Sequence, residues 1–290
     1  MKNGILIPLV TPFKKDGNVD YDGLKNVARF AFKTDADGVY AVGSSGECFL
    51  MTESERKKCL EVIIGESGGK PVIAHIGHIS LDIAVDLAKH AEHTGATGIA
   101  SVPPFYFRFS FEEVKNYFYS LADSVSIPLT VYNLPAWTRL LSLEECIELL
   151  NHKNVHSMKF TDTNYFMLER IKTLTGKFIY SGCDECFLSA LAAGADGAIG
   201  TTFNYMIESY IETKRLYTCG RMNDALKLQA RANAVTKALL DSGKLFSAVK
   251  YLMTLRGVEM ETFARRPLGM LTEQEKAEIK KIYEENVYHK

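Results

Sequence analysis

Short apolar runs alternate with longer amphipathic segments along most of this chain. In 81–93, Ile83, Leu87 and Ala91 recur at four-residue intervals with charged residues between them, which is typical of a helix with one buried face. A second segment of this kind predicts a helix at 54–66. The apolar runs predict eight buried strands, at 5–10, 38–42, 72–76, 98–102, 128–132, 155–159, 177–180 and 197–200.

Helix start and stop signals support this alternation. Thr52 and Ser110 are each followed by acidic residues, which predicts a capped helix N-terminus at both positions. The runs GATG (95–98) and GADG (194–197) place glycines where a helix ends before the next strand. Eight strand–helix units predict a closed parallel (β/α)8 (TIM) barrel. An open doubly wound sheet is the alternative, but no predicted strand is followed by G-x-G-x-x-G.

The strand pattern stops near Gly220, and the segments that follow are helical. Helices are predicted at 223–240 and 273–286. We therefore expect a barrel over 1–219 and a C-terminal helical extension, packed on the barrel, over 220–290. No low-complexity linker separates the two parts.

Composition and charge exclude several classes of protein. The 290 residues are 47% hydrophobic and 24% charged, as in ordinary globular proteins. A formal net charge of −1 supplies no basic surface for nucleic acid or an anionic membrane. The opening apolar run is broken by Pro8 and is too short for a secretory signal, and no stretch approaches the length of a membrane span. We expect a cytoplasmic protein without nucleic-acid or membrane partners.

The six cysteines do not form the framework of a disulfide-rich fold in a chain of this length. Cys183 and Cys186 form a single C-x-x-C, with no second pair to complete a zinc site. His75 and His78 lie at the end of the third predicted strand, but two histidines alone do not define a metal site. We therefore expect no metal, and histidines that are packed or hydrogen-bonded.

Polar residues at the strand ends are the candidates for chemistry, because the active site of such a barrel lies at the C-terminal ends of its strands. Lys159 ends the sixth predicted strand, where desolvation lowers the pKa of an amine and makes it a nucleophile that forms a Schiff base with a ketone. Tyr132 ends the neighbouring strand and can carry the proton. Ser44 and Ser45, between two glycines, can bind a carboxylate. The alternative for Lys159 is a side chain that extends to the barrel rim.

The motifs resemble those of the pyruvate-dependent class I aldolases, the family that contains N-acetylneuraminate lyase and dihydrodipicolinate synthase. They are the run GSSGE (43–47), YNLP (132–135), the isolated Lys159 and GADGAIGTTFN (194–204). The resemblance covers about 7–268. It implies a (β/α)8 barrel with C-terminal helices, commonly a homotetramer, and no metal or organic cofactor.

The resemblance also implies roles for residues of this chain. Lys159 would be the Schiff-base lysine and Tyr132 the proton shuttle, while Ser44 and Ser45 would bind the carboxylate of pyruvate. Glu47, next to these serines, leads into a predicted helix and is expected to brace the loop.

Two features favour the sialic acid branch of the family. The run SGCDE resembles the glycine-x-aspartate-glutamate motif of the lyases, which implies that Gly182, Asp184 and Glu185 contact the sugar tail. Paired carboxylates suit a polyol, because each accepts hydrogen bonds from two hydroxyl groups. Trp137 stands where dihydrodipicolinate synthases usually carry an arginine, and Arg139 lies two residues too late. The synthase function is therefore disfavoured.

Three further residues match substrate contacts of the lyases. Thr161 matches a threonine that contacts the substrate, and Thr201 stands where the lyases often have serine, so its hydroxyl is an expected sugar contact. Tyr106 matches a tyrosine that orders the proton relay; the alternative is an aromatic residue at a subunit contact.

Three functions are compatible with these residues. The first is retro-aldol cleavage of N-acetylneuraminate to N-acetylmannosamine and pyruvate, through an imine at Lys159. The second keeps this chemistry with another 2-keto-3-deoxy sugar acid as the substrate. The third is a catalytically idle barrel that binds a sugar acid, which the presence of both Lys159 and Tyr132 disfavours.

Overall fold

The computed structural model describes residues 4–287 and contains a closed barrel of eight parallel strands in chain order. Each strand pairs with the next one along the chain, and the eighth pairs with the first. The predicted barrel and all eight predicted strands are confirmed, with some ends shifted by one or two residues. The strands are β1 (Ile5–Pro8), β2 (Gly38–Ala41), β3 (Val72–His75), β4 (Gly98–Ser101), β5 (Leu129–Asn133), β6 (Val155–Phe160), β7 (Phe178–Ser181) and β8 (Gly197–Ile199).

Within the described residues, eleven α-helices surround and extend the barrel. Two of the predicted start signals are confirmed, since Thr52 and Ser110 form capping boxes with the glutamate three residues later. The first seven helices are α1 (Tyr21–Lys33), α2 (Glu53–Gly65), α3 (Leu81–Thr94), α4 (Phe111–Ser124), α5 (Leu143–Leu150), α6 (Tyr165–Thr175) and α7 (Phe187–Ala192). The remaining helices are α8 (Phe203–Thr218), α9 (Met222–Asp241), α10 (Leu245–Leu255) and α11 (Glu273–Asn286).

The C-terminal helical extension is present and packs on the barrel through α8, which contacts both α9 and α10. Helices α9 and α11 were predicted, whereas α10 was not. The predicted boundary at 219/220 falls in the turn between α8 and α9 and stays a prediction. The first three residues of the predicted barrel and the last three of the predicted extension lie outside the described residues. None of the helices in residues 4–287 combines the length and apolar composition needed to cross a bilayer.

Apolar side chains form two layers, one inside the barrel and one between the strands and the helices. The outer layer is the larger and is continuous with the core of the extension. The inner layer includes Tyr40, Tyr132 and Tyr180, one tyrosine each from β2, β5 and β7. The interior of the barrel is therefore aromatic on several sides at the depth where β6 delivers its lysine.

Candidate active site

Lys159 lies inside the barrel between two tyrosine-bearing strands. It is the register partner of Tyr132 on β5 and of Tyr180 on β7. Its Nζ atom lies 4.2 Å from the centroid of the Tyr132 ring and 5.2 Å from that of Tyr40. The residue is only 6% exposed. The lysine therefore does not extend to the barrel rim, and its amino nitrogen lies against the faces of two aromatic rings.

A histidine and a tyrosine complete the aromatic wall around this lysine. The rings of Tyr40 and His75 have centroids 6.0 Å apart, and the Tyr132 ring lies within 6.4 Å of both. Burial is the main cause of a strong decrease in the pKa of His75, with Arg56 and Lys159 adding to it. The imidazole is therefore neutral at physiological pH. The expected packed histidine is confirmed for His75, whose Nδ1 lies 3.6 Å from the thiol sulfur of Cys48.

Three buried polar atoms inside the barrel have no hydrogen-bond partner among residues 4–287. They are the Tyr40 hydroxyl, His75 Nε2 and the Thr161 hydroxyl. Each such atom costs about 1–3 kcal/mol when it is left unpaired. Their concentration near Lys159 indicates that this space receives a polar ligand. Of the three residues, Thr161 was predicted as a substrate contact and His75 only as a packed histidine. Tyr40 was not predicted, because it lies in an apolar strand whose inward direction is set by the barrel.

The GSSGE loop follows β2 and brings its serines to the same end of the barrel. Ser45 is buried, and its hydroxyl lies 2.7 Å from that of Thr201, which follows β8. The loop begins at Val42, whose φ is 48°. Positive φ is unusual for a β-branched residue and is found mainly where the surrounding structure imposes it. Two of the predicted hydroxyl contacts, from strands at opposite ends of the chain, thus meet directly.

Gly182 is the position at which a side chain would disrupt the site. A Cβ atom here would overlap the Thr161 hydroxyl and would lie 3.1 Å from Cε of Lys159. Only glycine leaves room for β6 and β7 to bring these groups together.

The two predicted carboxylates are placed differently. Asp184 is buried, and its Oδ2 accepts hydrogen bonds from the backbone N–H and the hydroxyl of Thr202, both at 2.7 Å. Burial raises the pKa of Asp184 to about 6, against the lowering effect of these hydrogen bonds. Glu185, the next residue, is exposed. Asp184 is therefore a fixed internal acceptor, whereas Glu185 faces solvent at the open end of the barrel.

Tyr106 is a predicted site residue that lies on the surface rather than inside the barrel with Lys159. It is 87% exposed, has a φ of 76°, and packs edge-on against Phe107, which is also exposed. Trp137 is likewise exposed. Arg139 forms an ion pair with Glu145 at 2.6 Å, so its guanidinium is occupied in bracing the chain rather than available as a carboxylate ligand.

Cys183, in the C-x-x-C beside the acids, does not have the properties of a reactive thiol. Cys183 and Cys186 are free thiols. Burial raises the pKa of Cys183 to about 12, with Glu185 adding to the effect, so this thiol is protonated at neutral pH. Within residues 4–287 no three or more histidine, cysteine or acidic side chains are grouped as a metal site would require.

Comparisons with known proteins agree with this geometry. The model of the dihydrodipicolinate synthetase family matches residues 1–286. The N-acetylneuraminate lyase of Rhizobium meliloti is 37% identical over 279 residues, which are 96% of this chain and 93% of that protein.

Two solved structures show the same fold over nearly the full chain. A Clostridium difficile protein, solved in complex with mannosamine, superimposes with a TM-score of 0.95 at 33% identity over 99% of both chains. A catalytic-lysine mutant of a Ruminococcus gnavus sialic acid aldolase gives 0.93 at 27% identity, over 98% of this chain and 95% of the other. The expectation of a carbon–carbon lyase from the Schiff-base aldolases is confirmed. With its family model matched almost end to end and a buried lysine on β6, the chain belongs to the dihydrodipicolinate synthetase family.

Proposed function

We propose that this protein cleaves N-acetylneuraminate to N-acetylmannosamine and pyruvate through an imine at Lys159. The observation that carries the proposal is the position of Lys159, buried in the barrel with its Nζ 4.2 Å from the ring of its register partner Tyr132. The names of the relatives in Rhizobium meliloti and Ruminococcus gnavus support the choice of substrate.

The reaction begins when the neutral amine of Lys159 attacks the C2 carbonyl of the substrate and water leaves. The resulting protonated imine withdraws electrons from the carbon chain of the substrate. Tyr132 gives its hydroxyl proton to the departing water as the imine forms, and its phenolate then takes the proton of the C4 hydroxyl. At the same time the C3–C4 bond breaks, and its electron pair forms an enamine. N-acetylmannosamine leaves as the aldehyde. Protonation of the enamine at C3 and hydrolysis of the imine then release pyruvate and restore the lysine.

The aromatic surroundings suit each cationic stage of this sequence. The rings of Tyr40 and Tyr132 flank the nitrogen of Lys159, and a ring face stabilises a protonated imine as it does an ammonium group. No metal or organic cofactor is needed, because the imine is the electron sink that a metal provides in other aldolases. Activity should therefore survive exhaustive treatment with EDTA.

The substrate carboxylate is assigned to the GSSGE loop. Ser44 and Ser45 offer hydroxyl and backbone N–H donors beside one another, and the hydroxyl of Ser45 is already oriented by Thr201.

The sugar tail is assigned to the groups beyond the lysine. Thr161 has an unpaired buried hydroxyl, and Thr201 and Asp184 lie at the end of β8 and after β7. Gly182 lets the Thr161 hydroxyl lie close to the end of β7, where it can contact the tail. The exposed Glu185 can accept hydrogen bonds from the outermost hydroxyl groups of the tail.

A homotetramer in the cytoplasm completes the proposal. Four exposed apolar side chains, Tyr106, Phe107, Trp137 and Leu140, follow β4 and β5 at the open end of the barrel. Apolar surface of this kind favours a subunit contact, in which Tyr106 can approach the proton relay of another subunit. Sedimentation of the protein tests the assembly, and a dimer or monomer at working concentration would contradict it.

Reductive trapping and product analysis test the activity. Pyruvate with borohydride should add a pyruvate-derived mass to the peptide that contains Lys159, and Lys159→Arg should abolish it because arginine stays protonated. Label on the exposed Lys153 would overturn the assignment. Among a panel of 2-keto-3-deoxy sugar acids, N-acetylneuraminate should release pyruvate with the highest kcat/KM. A higher value for a sugar acid without the acetamido group would instead establish the second function.

A further inference from the structure

Glu47 ends the GSSGE loop and is joined to the C-terminal extension by a buried ion pair. Its Oε1 lies 2.6 Å from Nζ of Lys250 on α10, and both side chains are fully buried. The two residues are 203 positions apart in the chain. Glu47 itself has a φ of 58°, in the left-handed region, only two residues after Ser45.

The same carboxylate receives a second hydrogen bond from the extension. The backbone N–H of Arg265 donates to Oε2 of Glu47 at 2.7 Å, and Nζ of Lys250 also donates to the Phe263 carbonyl at 2.7 Å. The guanidinium of Arg265 donates to the Leu50 carbonyl at 3.0 Å. The loop is therefore held by two groups of the extension, the Lys250 ammonium and the Arg265 backbone N–H, and the turn that follows the loop is held by a third.

Stability alone is a weak reason for this arrangement. Burial raises the pKa of Glu47 and lowers that of Lys250, so the interior disfavours both charges even though each is stabilised by the other. A buried ion pair often contributes no more stability than a well-packed apolar pair. The loop, however, has non-glycine residues at positive φ at both ends, Val42 and Glu47, and such backbone persists only where its surroundings hold it.

We propose that Lys250 is a positioning residue that, through Glu47, fixes the backbone of Ser44 and Ser45 for the substrate carboxylate. The inference rests on the proposed role of these serines. The C-terminal extension thereby takes part in substrate binding. Helix α10 does not contact the substrate, but Lys250 on this helix determines where the donors to the carboxylate lie.

The test compares two ligands of similar size, one with a carboxylate and one with a neutral amide in its place. Imine formation is measured by borohydride trapping over a range of concentrations of pyruvate and of pyruvamide, which has no carboxylate. Lys250→Met should raise the half-saturating concentration of pyruvate about ten- to a hundredfold, with the yield at saturation and the pyruvamide value unchanged. Lys244→Met is the matched control, because it removes another ion pair of the extension, Lys244–Glu275, and should change neither value.

A double variant separates positioning from a general loss of stability. Lys250→Met leaves the Glu47 carboxylate buried without its counter-ion, which is strongly destabilising and can prevent folding. Glu47→Gln combined with Lys250→Met removes both charges, and it should restore the melting temperature towards that of the parent while the half-saturating pyruvate concentration stays raised. Recovery of both properties in the double variant would overturn the proposal and leave Lys250 a structural residue.

Ser45→Ala distinguishes failure of this inference from failure of the carboxylate assignment. If Ser45→Ala weakens the binding of pyruvate and neither the single nor the double variant at Lys250 does so, only the positioning role of Lys250 is wrong. If Ser45→Ala leaves the pyruvate concentration dependence unchanged, the carboxylate site is misplaced and the inference falls with it. If Lys250→Met raises the half-saturating concentrations of pyruvate and pyruvamide equally, the proposal is also contradicted.

Discussion

Lys159 and Tyr132 are register partners on neighbouring strands, and the amine of one lies 4.2 Å from the ring centroid of the other. Because both side chains project from paired backbone, their separation is set by the strand ladder rather than by a loop. Rigid elements hold reacting groups more precisely than loops do. The proposed nucleophile and the proposed proton carrier are thus placed together by the most ordered part of the fold.

Tyr132→Phe should separate proton transfer from binding. We expect kcat for N-acetylneuraminate cleavage to fall by about 10²–10⁴-fold, the usual contribution of a positioned acid or base. KM should change little, because the ring that faces Lys159 remains. Tyr180→Phe, at the register partner on the other side of Lys159, is the matched control and should keep most of the activity. Equal losses in the two variants, measured by steady-state kinetics, would contradict the assignment.

Asp184→Ala and Glu185→Ala should both weaken the binding of the sugar acid, but they should differ in their effect on the stability of the fold. Each is expected to lower kcat/KM for N-acetylneuraminate about ten- to a hundredfold while pyruvate is still trapped at near-normal yield. Asp184→Ala also leaves the donors of Thr202 without their acceptor, so the free energy of unfolding should fall by about 1–3 kcal/mol. Glu185→Ala should leave unfolding by urea unchanged, since its side chain is exposed. Full activity in both variants would remove the sugar-tail assignment.

Cleavage should lose efficiency as the pH falls through about 6, because the pKa of Asp184 is raised to about 6 by burial. A protonated carboxyl accepts fewer hydrogen bonds from the sugar, so kcat/KM should decrease on the acid side. The kcat/KM of Asp184→Asn should not show this decrease at acid pH. The trapping of pyruvate by the parent should not show it either, because pyruvate has no sugar tail. A decrease in kcat/KM of equal size in Asp184→Asn would show that another group causes the pH dependence.

The raised pKa of Asp184 also predicts how the free energy of unfolding changes with pH. The pKa of Asp184 in the folded state lies above its ordinary value of 3.8, so the folded state binds this proton more tightly than the unfolded state. The contribution of Asp184 to the free energy of unfolding should therefore decrease as the pH rises from about 4 to about 6. Urea denaturation of the parent and of Asp184→Asn across this range measures the difference; a difference that is constant with pH would contradict the raised pKa.

Gly182→Ala should abolish imine formation without the removal of any functional group. The added methyl group would overlap the Thr161 hydroxyl and press against Lys159. Gly65→Ala is the control, because no other atom lies within 4 Å of a Cβ atom at that position and its φ is not positive. Trapping with pyruvate and borohydride checks both variants, and normal labelling of Gly182→Ala would show that the site has more room than the structure indicates.

The local pattern of the sequence was sufficient for the strands, for the capped helices and for Lys159 as a candidate nucleophile. Each depends on neighbouring residues: apolar runs predict strands, and a hydroxyl followed by acids predicts a helix start. Helix α10 was missed because its segment, LFSAVKYLMTL, has only three polar residues, and a mainly apolar run of this length is not easily assigned to a helix from its pattern.

Only the tertiary structure decided the remainder of the site. Asp184 and Glu185 are adjacent in the chain, but the turn after β7 buries one and exposes the other. Tyr40 and His75 became candidates when closure of the barrel turned their strands towards Lys159. The pairing of Glu47 with a residue 203 positions away depends on how the extension packs behind a loop, and no local pattern contains that distance.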